Sequence, residues 1–220
     1  MMDISLIITN YNREKYISRA INSCLNQLVN GIKVETIVVD DASTDGSVDI
    51  IQSFLENIKL IKHVSNQGVS ATSNSGIINS QGKYIMRVDA DDFLSSYACQ
   101  VMYMILKNNP DFGFVYCDHI RVDENGKRED LIRLDTNEKL YQHGAGILFR
   151  RESLFSINLY DKSIRNAEDY DLLIRLHKEK IKGFYLPVPL YRYYIHGANM
   201  TLNKDRNQSI IEVKKKHKIN

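Results

Sequence analysis

Several features are missing from this chain, and each absence narrows what it can be. Cysteine occurs only three times, as Cys24, Cys99 and Cys117, with no C-x-x-C spacing. An odd, scattered set argues against a disulfide scaffold or a zinc ribbon and fits buried thiols in a reducing compartment. Charge of one sign is not in excess. The formal net charge is +2, so no global field points to nucleic acid as a partner. No apolar run is long enough to span a bilayer. The N-terminus does not read as a secretion signal, because acidic Asp3 comes early and a strand-like run follows it. Internal repeats and low-complexity linkers are absent as well. The expectation is a cytoplasmic protein. A basic end, Lys214-Lys215-Lys216-His217-Lys218, offers peripheral contact with the inner face of a membrane.

What is present is ordinary in bulk and specific in pattern. A chain of 220 residues, 43% apolar and 25% charged, can build one large core. Continuous apolar runs at 4–9, 34–39, 60–64 and 84–88 read as buried strands. Between them, 16–28, 48–55 and 66–78 carry helical spacing. Strand and helix alternating at this rhythm predict right-handed crossovers and an α/β fold, a Rossmann-like, mostly parallel sheet flanked by helices.

After residue 92 the rhythm loosens. A helix is expected at 97–106, a strand from 112 toward 122, a turn at 123–126 and a return strand at 130–134. A helix follows at 167–177, then short strands at 184–186 and 190–195 around Pro187 and Pro189, then a polar surface helix or tail from about 204. The division expected is one domain, 1–220. Its front half, of nucleotide-binding type, covers about 1–92, a more irregular second half (the acceptor side, on the family resemblance given below) about 93–203, and a basic tail 204–220.

Open α/β sheets bind ligands beyond the carboxyl ends of their strands. Three such ends here are polar or acidic: Thr9-Asn10-Tyr11, Asp40-Asp41 and Asp89-Ala90-Asp91-Asp92. Carboxylates packed this closely repel one another, and a hard divalent cation such as Mg²⁺ or Mn²⁺ relieves them while leaving positions open for phosphate oxygens. The plain alternative is an acidic loop in which Asp92 caps the next helix.

Four stretches in order resemble the family 2 glycosyltransferases, which have the A-type glycosyltransferase (GT-A) fold. They are SLIITNYNREKYISRAINSCLNQ (5–27), TIVVDDASTDGS (36–47), NQGVSATSNSGI…GKYIMRVDADD (66–92) and AEDYDLLIRL (167–176), the last followed by YRYYIHGANMT (191–201). The resemblance implies an inverting transfer of sugar from a nucleoside diphosphate sugar, a UDP-sugar by expectation, to a saccharide or lipid-linked saccharide. It implies a divalent cation, Mn²⁺ or Mg²⁺.

The same resemblance implies the following roles. Thr9 and Tyr11 contact base and ribose, and Asp41 accepts a hydrogen bond from the base, with Asp40 structural and Asp45 a turn residue. Asp91 ligates the metal, and Asp89 is shared between ribose and metal. Asp169, beside Glu168, is the general base. Arg192 and His196 lie over the diphosphate, Arg192 to contact phosphate and His196 to ligate the metal or donate to phosphate. His143 lines the acceptor side, while His63, His119, His177 and His217 carry no assigned role. One departure stands out: many members have Ala-Arg-Asn where this chain has Thr72-Ser73-Asn74, and Ser73 supplies no guanidinium.

Two other classes compete. A nucleotidyltransferase also binds nucleotide and metal on an α/β sheet, but usually carries a glycine-rich basic loop after the first strand; here no glycine occurs before Gly31. A non-catalytic nucleotide-sugar binder would have no need of a separate, positioned Glu168-Asp169 pair.

Overall fold

The computed structural model of the chain describes residues 2–141, 143–197, 199 and 205–219. The end of the last family-like stretch, 200–201, and the start of the basic tail at 204 lie outside them.

The front half forms as its apolar runs predict. Strands β1 (Ile4–Asn10), β2 (Val34–Asp40), β3 (Lys59–Lys62) and β4 (Tyr84–Asp89) are parallel and lie in the order β3-β2-β1-β4. Helices α1 (Ile17–Leu25), α2 (Ser47–Gln52) and α3 (Val69–Ile78) connect them. The runs do not alternate because both faces are covered. Ile4, Leu6 and Ile8 enter one core with α1, whereas Ile7 enters the other, with Ile37, Val39 and Ile77. Burying one such side chain is worth about 1.5–3 kcal/mol. Gly76 lets α3 approach, since a Cβ there would lie 2.3 Å from Ile7 Cγ2. Register then sets the strand ends level: Asn10 pairs with Asp40, and Thr9 with Asp89.

The second half extends the same sheet in mixed directions. It contains β5 (Phe93–Leu94), α4 (Ala98–Asn108), β6 (Phe112–Val122), β7 (Arg128–Ile132), α5 (Asn137–Tyr141), β8 (Leu148–Arg150), α6 (Arg151–Ser156), α7 (Glu168–Lys178), β9 (Lys182–Tyr194) and α8 (Arg206–His217). β8 runs antiparallel to both β4 and β6, and β9 runs parallel to β6. The strand order is β3-β2-β1-β4-β8-β6-β9-β5, with β7 on β6.

One expectation needs correction. The short strands around Pro187 and Pro189 are one long strand, β9. The register slips between Cys117–Leu186 and Asp118–Pro189, so the prolines, which cannot donate, sit at a bulge. The tail forms the surface helix that is one of its two expected forms, and it is docked. Val213 of α8 is buried with Ala167 and Ile174. Lys216 bridges Asp161 and Asp171 at 2.8 Å each, and His217 also reaches Asp171 at 2.8 Å. Two of the five basic-end residues are thus turned inward, which leaves Lys214, Lys215 and Lys218 for any membrane contact.

Candidate active site

The level strand ends open into a cleft of about 390 Å³. Its size is that of an ordinary small-molecule site. Thr9, Tyr11, Asp41, Asp89, Asp91 and Asp169, all expected at a site, line it.

On the β2 side, Asp41 is buried and tightly held. It accepts the backbone N–H groups of Gln67 and Gly68 at the start of α3 and lies 2.6 Å from His63 Nδ1. The other ring nitrogen of His63 meets Ser75 Oγ at 2.8 Å. With about four lone-pair positions on a carboxylate, roughly one remains for a ligand donor. His63, given no role from the sequence, therefore positions Asp41. Asp40 is structural as expected, taking Asn10 Nδ2 at 2.7 Å and the Ser43 hydroxyl at 2.6 Å. Asp45 serves the turn, accepting from the N–H groups of Glu14 and Ser47. Tyr11 stands at the mouth, 44% exposed and available for stacking. Ser73 faces inward; it is buried, and its Oγ has no hydrogen-bond partner among the described residues.

On the β4 side, the centre of the site is a residue the sequence reading passed over. Arg87 is buried inside the strand. Its Nη1 and Nη2 donate to the two carboxylate oxygens of Asp169 at 2.9 Å each, its Nε faces Asp89 Oδ1 at 3.1 Å, and Glu168 lies 3.9 Å away. Burial opposes the Arg87 charge, but Asp169 and Asp89 outweigh it and hold its pKa well above the ordinary arginine value. The signal was present in YIMRVD: a lone arginine in a strand buried on both faces must find anions.

The carboxylates crowd one another. Burial, with Asp169 adding, pushes Glu168 up to about 7. Burial and then Asp91 raise Asp92 well above the carboxylate range, although the Tyr194 N–H donates to it at 2.9 Å. Burial also raises Asp89 against the pull of Arg87; its side chain keeps 33% of its surface exposed, and solvent moderates the effect.

Asp91 Oδ2 takes Arg13 Nε and His196 Nε2 at 3.0 Å each. His196 stacks on Tyr16 with ring centres 5.0 Å apart. It is thereby brought to the expected metal ligand. Arg192 is not brought to the cleft. Side chains alternate along a strand; Tyr191 and Tyr193 of β9 line the cleft, and Arg192 between them donates to the Pro189 carbonyl at 2.8 Å.

Gly144 packs directly against the acidic pair of α7, since a Cβ there would lie 1.9 Å from Asp169 Cγ. His143 next to it lines the cleft with His119. Burial, with Arg206 adding, lowers His143 to about 4, and burial lowers His119 well below the ordinary imidazole value. Neither nitrogen of buried His119 has a partner among the described residues.

A divalent cation suits this donor set. Three carboxylates within four positions, two of them with raised pKa values, carry negative charge that a hard cation relieves. Among the described residues, no three His, Cys, Asp or Glu side chains already converge into a cage. Oxygens from the substrate would have to complete it.

The mostly parallel sheet, its antiparallel extension and the two acidic groups across one cleft agree with the GT-A fold that the sequence resemblance implies. Residues 5–157 match the model of Glycosyl transferase family 2, and the chain belongs to that family. It is similar to the chondroitin synthase of Escherichia coli, 30% identical over 213 residues that cover 91% of this chain and 30% of that protein. The hyaluronan synthase of Pasteurella multocida is 29% identical, over 91% of this chain and 21% of its own. This chain thus spans less than a third of either synthase. The fold matches Staphylococcus aureus TarS 1-349 in complex with UDP-GlcNAc, with a TM-score of 0.80 at 19% identity, covering 96% of this chain and 65% of TarS 1-349. It also matches the mannosyltransferase PcManGT of Pyrobaculum calidifontis in complex with GDP-Man and Mn²⁺, with a TM-score of 0.76 at 16% identity, covering 97% and 63%. Among the described residues, no helix is long and apolar enough to cross a membrane.

Proposed function

We propose that the chain transfers a sugar from a UDP-sugar to a saccharide or lipid-linked saccharide hydroxyl, with inversion at the anomeric carbon. The observation that carries this reading is the placement of two acidic groups in one cleft: Asp89 and Asp91 at the end of β4, and Glu168 and Asp169 at the start of α7, joined through Arg87. The first group suits a departing nucleoside diphosphate, and the second suits an attacking hydroxyl.

Asp169 is the general base in this reading. Arg87 occupies one lone pair on each of its oxygens and fixes its orientation, and the remaining lone pairs accept the hydroxyl proton. Asp41 and Tyr11 hold the uridine. Asp91 and Asp89, with His196 adjacent, would hold a divalent cation that stabilises charge on the leaving diphosphate. A single displacement needs one base and no covalent nucleophile. The relatives named as chondroitin and hyaluronan synthases support a saccharide product, and the UDP-GlcNAc complex on this fold supports the choice of donor.

The test is incubation with UDP-sugars and Mn²⁺ without acceptor, followed for free UDP. Slow UDP release is expected. Pyrophosphate release would show a nucleotidyltransferase, and tight binding of the donor without any turnover would show a binding protein.

A further inference from the structure

The segment between α6 and α7 carries two cations that the proposed chemistry leaves unused. Lys162 and Arg165 both line the cleft and are both exposed. Among the described residues, neither makes a hydrogen bond or ion pair. The other cleft cations are engaged: Arg87 with Asp89 and Asp169, Arg13 with Asp91, and Arg206 also has an interaction.

The segment that carries them is fastened rather than loose. Asn74 Nδ2 donates to the Tyr160 carbonyl at 2.8 Å, and the Tyr160 N–H returns a bond to Asn74 Oδ1 at 3.0 Å. Ser70 Oγ donates to the Ile164 carbonyl at 3.2 Å. Asp161 is held by Lys216 of α8. Asn166 turns the chain into α7 through a left-handed conformation, φ 61°. Both Ser70 and Asn74 belong to α3, and the residues just before α3, Gln67 and Gly68, are those that grip Asp41. The two cations are therefore held at the cleft on a segment fastened to α3 at one side and leading into Glu168 and Asp169 of α7 at the other.

Two like charges three positions apart on a fixed segment gain nothing from each other, and an anion between them relieves both. A lysine presents a compact charge, and an arginine a fork of donors matched to phosphate oxygens. We infer that Lys162 and Arg165 are the cations that bind the diphosphate of the donor. This rests on the nucleotide-sugar reading above.

The test is calorimetric titration of uridine, UMP and UDP, each with Mn²⁺, into the wild type and into the double variant Lys162→Gln/Arg165→Gln, with guanosine and GDP as a parallel series. Both side chains are exposed, and an unchanged melting temperature confirms that the variant is folded. The expected result is UDP binding weakened tenfold or more with uridine binding within twofold of wild type. The salt dependence of UDP binding should also become shallower. UDP affinity within twofold of wild type overturns the inference, as does an equal loss for uridine, which would mean a structural role. If the wild type binds GDP instead, the same comparison is made on GDP. Should the wild type bind neither diphosphate, the nucleotide-sugar reading itself fails and this inference falls with it.

Discussion

Arg87 and Asp169 form a two-pronged pair, both contacts at 2.9 Å, between a strand interior and the first turn of a helix 82 residues away. Removing the guanidinium strands Asp169, Glu168 and Asp89 as uncompensated charges. Breaking one partner of a buried pair destabilises by about 3–5 kcal/mol. Arg87→Met should therefore lower the melting temperature by several degrees, measured by calorimetry. The deficit should shrink at pH 5 relative to pH 8, because the stranded carboxyls can then take up protons. An equal deficit at both pH values would rule out this account. Arg87→Lys should recover only part of the loss, because an ammonium cannot reproduce the fork.

Asp169→Asn should abolish UDP release while UDP binding survives within a fewfold, checked by turnover and titration on one preparation. An amide keeps the shape and the α7 start but offers no carboxylate to take a proton. Full turnover in this variant would remove Asp169 from the base role.

Glu168 titrates in a different sense. Its folded value is raised from 4.5 to about 7, so the folded state holds its proton longer than the unfolded chain. The associated stability is complete below about pH 4.5 and is lost as pH rises through about 7. Over this window Glu168→Gln should flatten the dependence of melting temperature on pH, keeping more of its low-pH stability at pH 7.5 than the wild type does. Parallel curves for the two proteins would contradict the assignment.

Much of the front half was legible because its signals are local. Unalternating apolar runs marked β1, β2 and β4, and their acidic ends marked the cleft. Arg87 was not legible in role, since its partners Asp169 and Glu168 lie far along the chain and no spacing connects them. His63 failed for the same reason: its importance comes from parallel pairing that carries the end of β3 to Asp41. Arg192 was misplaced because its side of β9 depends on a bulge at Pro187–Pro189, and a one-residue slip turns every later side chain to the opposite face. The docking of α8 is likewise long-range, set by Asp171 at the bottom of a polar cluster rather than by the tail's own composition.

His119 offers a stability test with an unusual sign. A buried imidazole with neither nitrogen bonded among the described residues pays the desolvation of polar atoms without return. Replacing it by a ring of similar shape removes that penalty, so His119→Phe should leave urea-unfolding stability unchanged or raise it by up to about 1–3 kcal/mol. A clear loss of stability would mean that the native imidazole has a bonded partner in solution, such as a buried water.

The last prediction concerns Asp91, where Arg13 and His196 both meet one carboxylate oxygen. If this carboxylate is a metal ligand that UDP completes, Mn²⁺ should strengthen UDP binding to the wild type, and Asp91→Asn should remove most of that dependence. Thermal shift reads this directly, because a ligand present at a hundredfold its dissociation constant adds about 2.7 kcal/mol of apparent stability. The variant should show the same small shift with UDP alone as with UDP and Mn²⁺. Asp92→Asn separates the neighbouring role: Asp92 is buried and holds the Tyr194 N–H, so its loss should lower the melting temperature while the Mn²⁺ effect on UDP persists. A Mn²⁺ effect that survives in Asp91→Asn and vanishes in Asp92→Asn would exchange the two assignments.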